Sequence, residues 1–478
     1  MDKKIILMAI LFFLLAIVIT KLYMVNGVDW DFIAHYLSAK SADSGNFVTI
    51  LRNAVATGRT YMNFGIVETK SSYFESYRAP LSIAIFMILY PILGNYSIIA
   101  YLIIMVLLLF YATIYFSKKF KINYIVAGAL IVLPYIVIFP FIVNSEEMLS
   151  LSLMIIALAL EADNKWQSGI VFGLACLAKY TTLIFLPIIL LLNGRKNIFK
   201  GYVSFVLVTL PWLIFNYLVY GNPIYSYLSS INVSLESSAP SAISITALFN
   251  ILINFLPAFL IIGVFIYFDI RKNDFKITKK IKKNFLIDKK TWLLLLFFVF
   301  SCIEFIILGL HEDVFDQTRY AYFLYASLGF LIGYIITKII ELSIKNNRTM
   351  QYKIISKSDI VLFSFSVISM LGTFYFLSIN SNSGIYLGSG NPVFNTVIID
   401  LKNINLYNCS FVSNDWVYLR YYNITAFSPY YYNSSIKNYP SIVLNQIGTA
   451  PNGVYINPNE NVYKNANFNI YFNKTLKC

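Results

Sequence analysis

Long unbroken apolar runs, rather than alternating ones, organise most of this chain. A helix needs roughly 17–25 residues to cross a bilayer. Runs of that order fall at 5–23, 96–116, 122–142, 201–219, 244–268, 291–309, 319–337 and 359–378, with shorter ones at 148–160, 167–178 and 181–193. The pattern predicts about eleven transmembrane helices. One further apolar segment, 81–93, is too short to span comfortably and reads as an amphipathic or re-entrant helix at the interface. After Ser378 the character changes. Residues 379–478 are polar and rich in Asn, Tyr and Ser, and stretches such as VFNTVIID and FNIYF alternate as strands do. The expected fold class is an all-α polytopic membrane protein over residues 1–378, followed by a small α/β or β-rich domain at 379–478.

Composition agrees with that pattern. Of 478 residues, 58% are hydrophobic and 13% charged, with a mean hydropathy of +0.67, which excludes an ordinary soluble globule. The net charge of +14 would suggest nucleic acid in a soluble protein, but its distribution points elsewhere. With the amino terminus inside, the inner segments 1–4, 117–121, 161–166, 194–200, 269–290 and 338–358 hold 23 Lys or Arg, and everything else up to residue 379 holds eight. This is the positive-inside asymmetry, and it orients the chain in the cell membrane with a cytoplasmic amino terminus. The stretch RKNDFKITKKIKKNFLIDKK then faces anionic lipid headgroups, and no soluble nucleic-acid module accompanies it.

The first span is read as an anchor, because TKLYMVNG offers no small-x-small cleavage pattern. An odd number of spans puts the carboxy-terminal domain outside. Four N-x-[ST] sequons, at Asn408, Asn423, Asn433 and Asn473, agree weakly with that side. Cys409 and Cys478 are the only cysteines of this tail and could pair there, whereas Cys176 and Cys302 lie in apolar spans and read as packing residues.

This topology makes residues 24–80 the first outer loop. It opens with NGVDWDFIAHYLSAK, which places Asp29, Asp31 and His35 just beyond the first span. Read as one helix from Asp31 to about Ala56, the segment puts Asp31, His35 and Ser38 on one face. The plain alternative is that an Asp merely caps the helix. Downstream, ESYRAPL sets Arg78 at headgroup depth, where a guanidinium binds a lipid-linked phosphate by charge-assisted hydrogen bonds or snorkels to ordinary phospholipid.

Several elements then occur in order. An Asp follows the first span with an Ala eight residues on (Asp31, Ala39), and a G-x-x-Y runs from Gly58 to Tyr61. A [KR]-x-P-L element runs from Arg78 to Leu81, acids lead into a span in NSEEMLSLSLMIIALAL, and a Gly-rich hairpin ends in Lys in GLACLAKYTTLIFLP. PWLIFNYLVYGNPIYSY and RYAYFLYASLGFLIGYII complete the series, which covers residues 26–337. Together they resemble the GT-C superfamily of polytopic membrane glycosyltransferases, nearest to the dolichyl-phosphate-mannose protein mannosyltransferases and the aminoarabinose lipid A transferases. The pattern departs from the family's usual Asp-Glu pair, which is Asp31-Phe32 in this chain, with an extra acid at Asp29. Which of Asp29 and Asp31 is the catalytic carboxylate stays open.

The resemblance implies transfer of a sugar, such as mannose or another hexose, from a polyprenyl-phosphate carrier to a protein, lipid or glycan acceptor on the outer face, with inversion. Single displacement needs one general base and cations to hold the departing phosphate. Asp31 is the expected base, with Asp29 supporting it or helping to bind a divalent ion; no cofactor is otherwise required. Arg78, Lys179 and Arg319 are the expected phosphate ligands. Glu146, Glu147 and His35 are expected to orient the acceptor or assist the base.

Each assignment has a plainer counterpart: two acids ending a helix in water for Glu146 and Glu147, a polar turn for Lys179, an interfacial anchor for Arg319. HEDVFDQ crowds His311, Glu312, Asp313 and Asp316 into one loop, but it lacks the second histidine cluster that would complete a zinc shell. Glu304 is the one acid well inside a predicted span, and such residues are functional candidates. The principal rival function is a transporter or flippase of lipid-linked glycans. It fits less well, because the charges gather at the outer rim rather than at mid-bilayer or in two repeated halves.

Overall fold

The computed structural model describes residues 3–26, 28, 30–43, 46–56, 60–61, 66–68, 72–132, 145–191, 195–236, 243–273, 289–310, 320–345, 357–379, 398–403, 406, 408–413, 416–428, 442–446, 461–464 and 468–472. The chain is a polytopic α-helical membrane protein. Among the described residues, six helical runs are long and apolar enough to cross a membrane: 3–24, 80–120, 198–220, 289–309, 322–341 and 358–375, with shorter apolar helices between them. Large apolar side chains stand exposed along these runs, among them Phe13, Leu107, Leu207 and Ile368. A belt of that size cannot face water without driving association, and lipid is its natural neighbour.

The helices run in chain order as α1 (Lys3–Asn26), α2 (Trp30–Ala42), α3 (Phe47–Ala56), α4 (Pro80–Leu93), α5 (Ser97–Phe120), α6 (Tyr124–Val132), α7 (Ser145–Ala162), α8 (Gln167–Ala178), α9 (Leu186–Leu191), α10 (Arg195–Tyr220), α11 (Tyr225–Glu236), α12 (Ile245–Ile253), α13 (Leu256–Asn273), α14 (Lys289–Gly309), α15 (Tyr322–Lys345) and α16 (Ser358–Ile379). One packing group joins α1 to α5, α6 and α16, with α15 against α6. A second joins α5, α7, α8 and α10. Several hydroxyls inside the bundle are satisfied within their own helices: Thr113 donates to the Leu109 carbonyl at 2.8 Å, Ser152 to Met148 at 2.7 Å and Ser301 to Phe297 at 2.7 Å. This suits a medium that supplies no water to bond them.

Small residues let α8 and α10 meet backbone to backbone. A Cβ built on Gly169 would lie 2.0 Å from the Gly201 carbonyl oxygen, so neither helix can stay where it is if Gly169 gains a methyl. Gly169→Ala is expected to destabilise the fold by about 1–3 kcal/mol, in the range of overpacked interiors. Thermal unfolding in detergent measures this, and Gly263→Ala, where a Cβ meets nothing within 4 Å, is the matched control.

Several elements differ from the apolar pattern, each for a local reason. The helix expected from Asp31 to Ala56 is two helices, broken at SADSG, where turn formers replace apolar residues and the Asp43 amide closes the last turn on the Ala39 carbonyl. The 244–268 span is interrupted between Ile253 and Leu256, with Pro257 at the start of the new helix, where a missing N–H costs nothing. The helix Tyr225–Glu236 was not anticipated. The apolar run at 122–142 is helical to Val132, and its remainder lies outside the described residues. Segment 81–93 is a helix separate from α5, as its length suggests. Gly94 turns the chain at φ 55°, and Ser82 bonds Tyr101 at 3.0 Å as α4 folds back on α5.

Two sheets complete the fold. In the first loop β1 (Thr60–Tyr61), β2 (Ile66–Glu68) and β3 (Tyr73–Glu75) form an antiparallel sheet, pairing Glu75 with Ile66 and Tyr73 with Glu68. Toward the carboxy terminus β4 (Ser410–Val412), β5 (Thr425–Phe427), β6 (Ile442–Gln446), β7 (Asn461–Lys464) and β8 (Phe468–Phe472) lie in the order β5-β4-β6-β8-β7. The pairs β4/β5 and β4/β6 are parallel, and a short helix α17 (Trp416–Tyr421) makes the crossover from β4 to β5. FNIYF is the strand its alternation predicts. VFNTVIID is not: its described part, 398–400, is helical, with Ile398 and Leu401 packed at helical spacing against the core. Cys409 is disulfide-bonded, while Cys176 and Cys302 are free thiols. Cys478 lies outside the described residues.

Candidate active site

The site grows from three pieces of sequence that the topology brings together: the start of α2, the turn between β3 and α4, and the start of α7. Asp31 sits in the first turn of α2, and its carboxylate is about a quarter exposed (24%). Arg78 lies in the turn that Pro80 ends by opening α4. Its Nη2 donates to Asp31 Oδ1 at 2.7 Å, and its Nε donates to Glu75 Oε2. Glu75 in turn accepts from the Tyr73 hydroxyl. One guanidinium thus bridges a buried carboxylate and a partly exposed one.

Burial disfavours the Arg78 charge, but Asp31, Glu75, Tyr77 and Glu146 around it outweigh that and hold its proton more tightly than usual. Burial likewise pushes the Tyr77 phenol well up, against the pull of Arg78.

Glu146, in the first turn of α7, ties the second piece to the first. Its Oε1 lies 2.7 Å from His35 Nε2 and accepts the Ala79 amide at 3.3 Å. His35 Nδ1 faces the Asp31 main-chain oxygen at 2.8 Å. Both ring nitrogens therefore face oxygen atoms. Tyr180 adds a further tie, donating to the Arg78 carbonyl at 3.2 Å and accepting from Trp212 Nε1 at 2.8 Å.

Beside this lies a second buried pair. Lys179 donates to Glu147 Oε1 at 2.9 Å, and its ammonium sits 4.8 and 5.1 Å from the ring centres of Tyr320 and Tyr322. Glu304, 1% exposed, accepts from Thr181 at 2.9 Å. Glu147 is fully buried, so taking away its cation leaves an uncompensated charge. Lys179→Met is therefore expected to cost about 3–5 kcal/mol. Adding Glu147→Gln should restore most of the lost thermal stability, and unfolding of the single and double variants in detergent checks both expectations.

In sequence, Asp31 with His35, Arg78, Glu146 with Glu147, and Lys179 lie on separate segments, and the fold gathers them. Glu146 and Glu147 do not end a helix in water, and Lys179 is not a solvated turn; all three are buried. Asp29, Arg319 and the His311–Asp316 loop lie outside the described residues. Among the described residues, no group of three or more His, Cys, Asp or Glu is placed to hold a metal ion. Sequence reasoning missed Glu75, Tyr73 and Tyr180. A signal existed for Glu75, since ESYR sets an acid three residues before the arginine, the spacing of a local ion pair.

An open apolar groove of about 670 Å³ adjoins the turn, lined by Phe47, Phe74, Leu81, Met87, Trp212 and Phe215. Phe74 and Leu81 flank the Glu75–Arg78 segment in sequence.

By sequence, no family model and no curated protein matches the chain. By structure, it superposes on ArnT from Cupriavidus metallidurans bound to undecaprenyl phosphate with a TM-score of 0.61 and 11% identity over 97% of both chains. Apo ArnT of the same organism gives 0.58 and 12%, again over 97% of both chains. The chain has a GT-C fold. An oligosaccharyltransferase from Archaeoglobus fulgidus, tethered with an acceptor peptide, is similar at a TM-score of 0.49 and 11% identity, over 85% of this chain and 62% of that one. Across the ArnT comparison the GT-C architecture persists where only about one residue in nine is shared.

Proposed function

We propose that this GT-C chain is a membrane glycosyltransferase that moves a sugar, a hexose such as mannose, from a polyprenyl-phosphate carrier to a protein, lipid or glycan acceptor on the outer face of the membrane. The observation that carries the reading is the Arg78–Asp31 pair, a buried guanidinium against a partly exposed carboxylate. ArnT, which shares the fold, has been captured with undecaprenyl phosphate. Asp31 takes the proton of the acceptor hydroxyl as its oxygen attacks the anomeric carbon from the face opposite the carrier. The bond between that carbon and the carrier phosphate oxygen breaks, and its electron pair leaves with the phosphate, giving inversion. Arg78 holds that phosphate, with Lys179 and Arg319 as further cations, and Asp29 supports the base.

Glu146, Glu147 and His35 orient the acceptor side, and the groove takes the polyprenyl tail. The amino terminus is cytoplasmic, residues 1–378 form the catalytic membrane domain, and residues 379–478 form a domain outside the cytoplasm.

The test is transfer of radiolabelled sugar from polyprenyl-phosphate-mannose and polyprenyl-phosphate-glucose in membranes containing the protein. Label is expected to pass to a new acceptor and to leave free polyprenyl phosphate. Passage of the intact carrier-linked sugar across a sealed vesicle, with no transfer, would replace this reading by a flippase.

A further inference from the structure

The catalytic residues sit near the start of the chain, yet a helix near its end touches the elements that hold them. Trp416, in α17, is 5% exposed and packs edge-on against two rings: Trp30 at 5.0 Å and Tyr73 at 5.1 Å between centroids. Trp30 is the residue before Asp31. Tyr73 donates to Glu75, which holds Arg78, which donates to Asp31. A closed circuit results: Trp416, Trp30, Asp31, Arg78, Glu75, Tyr73 and back to Trp416.

Other contacts brace the same junction. Buried Arg420 donates through Nη1 to the Ser72 carbonyl at 3.2 Å and through Nε to the Ala426 carbonyl at 2.6 Å, so it links the residue before β3 to the carboxy-terminal sheet. Tyr418 meets Trp30, Tyr421 meets Tyr36, and Lys40 donates to Asn423 at 2.6 Å.

We infer that α17 is a positioning element for the Asp31–Arg78 pair, with Trp416 as its central residue. The inference rests on the transferase reading for its catalytic consequence, but not for its mechanical one. A lone arginine between two carboxylates has several arrangements of similar energy. The aromatic contacts select one by fixing both strands of backbone that carry the acids, Trp30–Asp31 on one side and Tyr73–Glu75 on the other. Edge-to-face aromatic pairs add directional preference to the burial they provide. Reactive groups tolerate little displacement, so loosening this brace acts on turnover more than on donor binding.

The experiment compares wild type with Trp416→Ala, Trp416→Phe and Trp30→Leu in the full-length protein in detergent. Hydrogen exchange of the amides at 30–35 and 73–78 is expected to quicken at least about tenfold in Trp416→Ala and Trp30→Leu, while α15 keeps wild-type protection. In the transfer assay, kcat of Trp416→Ala is expected to fall by about 10²-fold with donor KM nearly unchanged, and Trp416→Phe to recover most of it. Unchanged exchange at both segments would overturn the coupling whatever the activity. Faster exchange with undiminished kcat would overturn the positioning role. A wild type without transfer would sink the transferase reading instead, and exchange would still decide whether Trp416 holds Asp31 and Arg78. If Trp416→Ala fails to accumulate, Trp30→Leu removes the same contact from the other side.

Discussion

Replacing Asp31 by Asn is expected to lower sugar transfer by roughly 10²–10⁴-fold, the usual worth of a positioned general base, while the protein still accumulates and still binds undecaprenyl phosphate. Asn keeps the shape and one hydrogen-bond acceptor for Arg78, so the turn retains its place. What it loses is the ability to take a proton from the acceptor. Asp31 is about a quarter exposed, so the loss of its ion pair has only a modest effect on folding, and the variant reports on chemistry rather than on structure. Initial rates at saturating donor, normalised to folded protein, measure the effect. Asp29→Asn belongs beside it: loss of transfer in that variant alone would move the base two residues upstream. Transfer indifferent to both changes would rule out a carboxylate base in this part of the loop.

The second large effect is expected at Arg78. Arg78→Gln removes the cation from Glu75, whose side chain is 1% exposed, and a buried carboxylate stripped of its partner costs about 3–5 kcal/mol. It also removes the proposed phosphate ligand. Two further variants separate these consequences. Glu75→Gln combined with Arg78→Gln should regain thermal stability without regaining transfer, because the buried charge is gone but the phosphate still has no guanidinium. Arg78→Lys keeps a charge but cannot reach Glu75 and Asp31 with two separate nitrogens. It should fold, bind undecaprenyl phosphate more weakly, and transfer slowly. Full transfer by Arg78→Lys would show that a single point charge is enough, and would remove the case for bidentate geometry.

How far the sequence discloses this molecule depends on the scale of the feature. Helices such as Ser97–Phe120, Lys289–Gly309 and Ser358–Ile379 are legible because an apolar run of that length has few other uses. Their breaks are less so: hydropathy averages over a window, whereas SADSG and the Pro257 turn act through two or three residues. VFNTVIID misleads for a related reason, since its alternation is too short to oppose the helical spacing of Ile398 and Leu401. The charged residues of the site stand out because ionisable groups are scarce in so apolar a chain. Their partners do not. That Lys179 meets Glu147, or His35 meets Glu146, depends on how α2, α7 and α8 pack, which the local pattern does not encode. Glu75 lies between these cases, since its spacing to Arg78 is visible but its burial is not. The tyrosines at 73 and 180 are lost among the chain's 37 tyrosines.

The junction between α17 and the first loop also bears on biosynthesis. The hydrogen bond from Arg420 to Ser72 spans 348 positions of chain, and that from Lys40 to Asn423 spans 383. Asp31 and Arg78 are synthesised long before the aromatic brace that packs behind them. Until that stretch has docked, the growing chain has its helices and its charged residues but not the aromatic contacts that brace them. Contacts of such long range form late, so each nascent copy braces its Asp31–Arg78 pair only after α17 has been made.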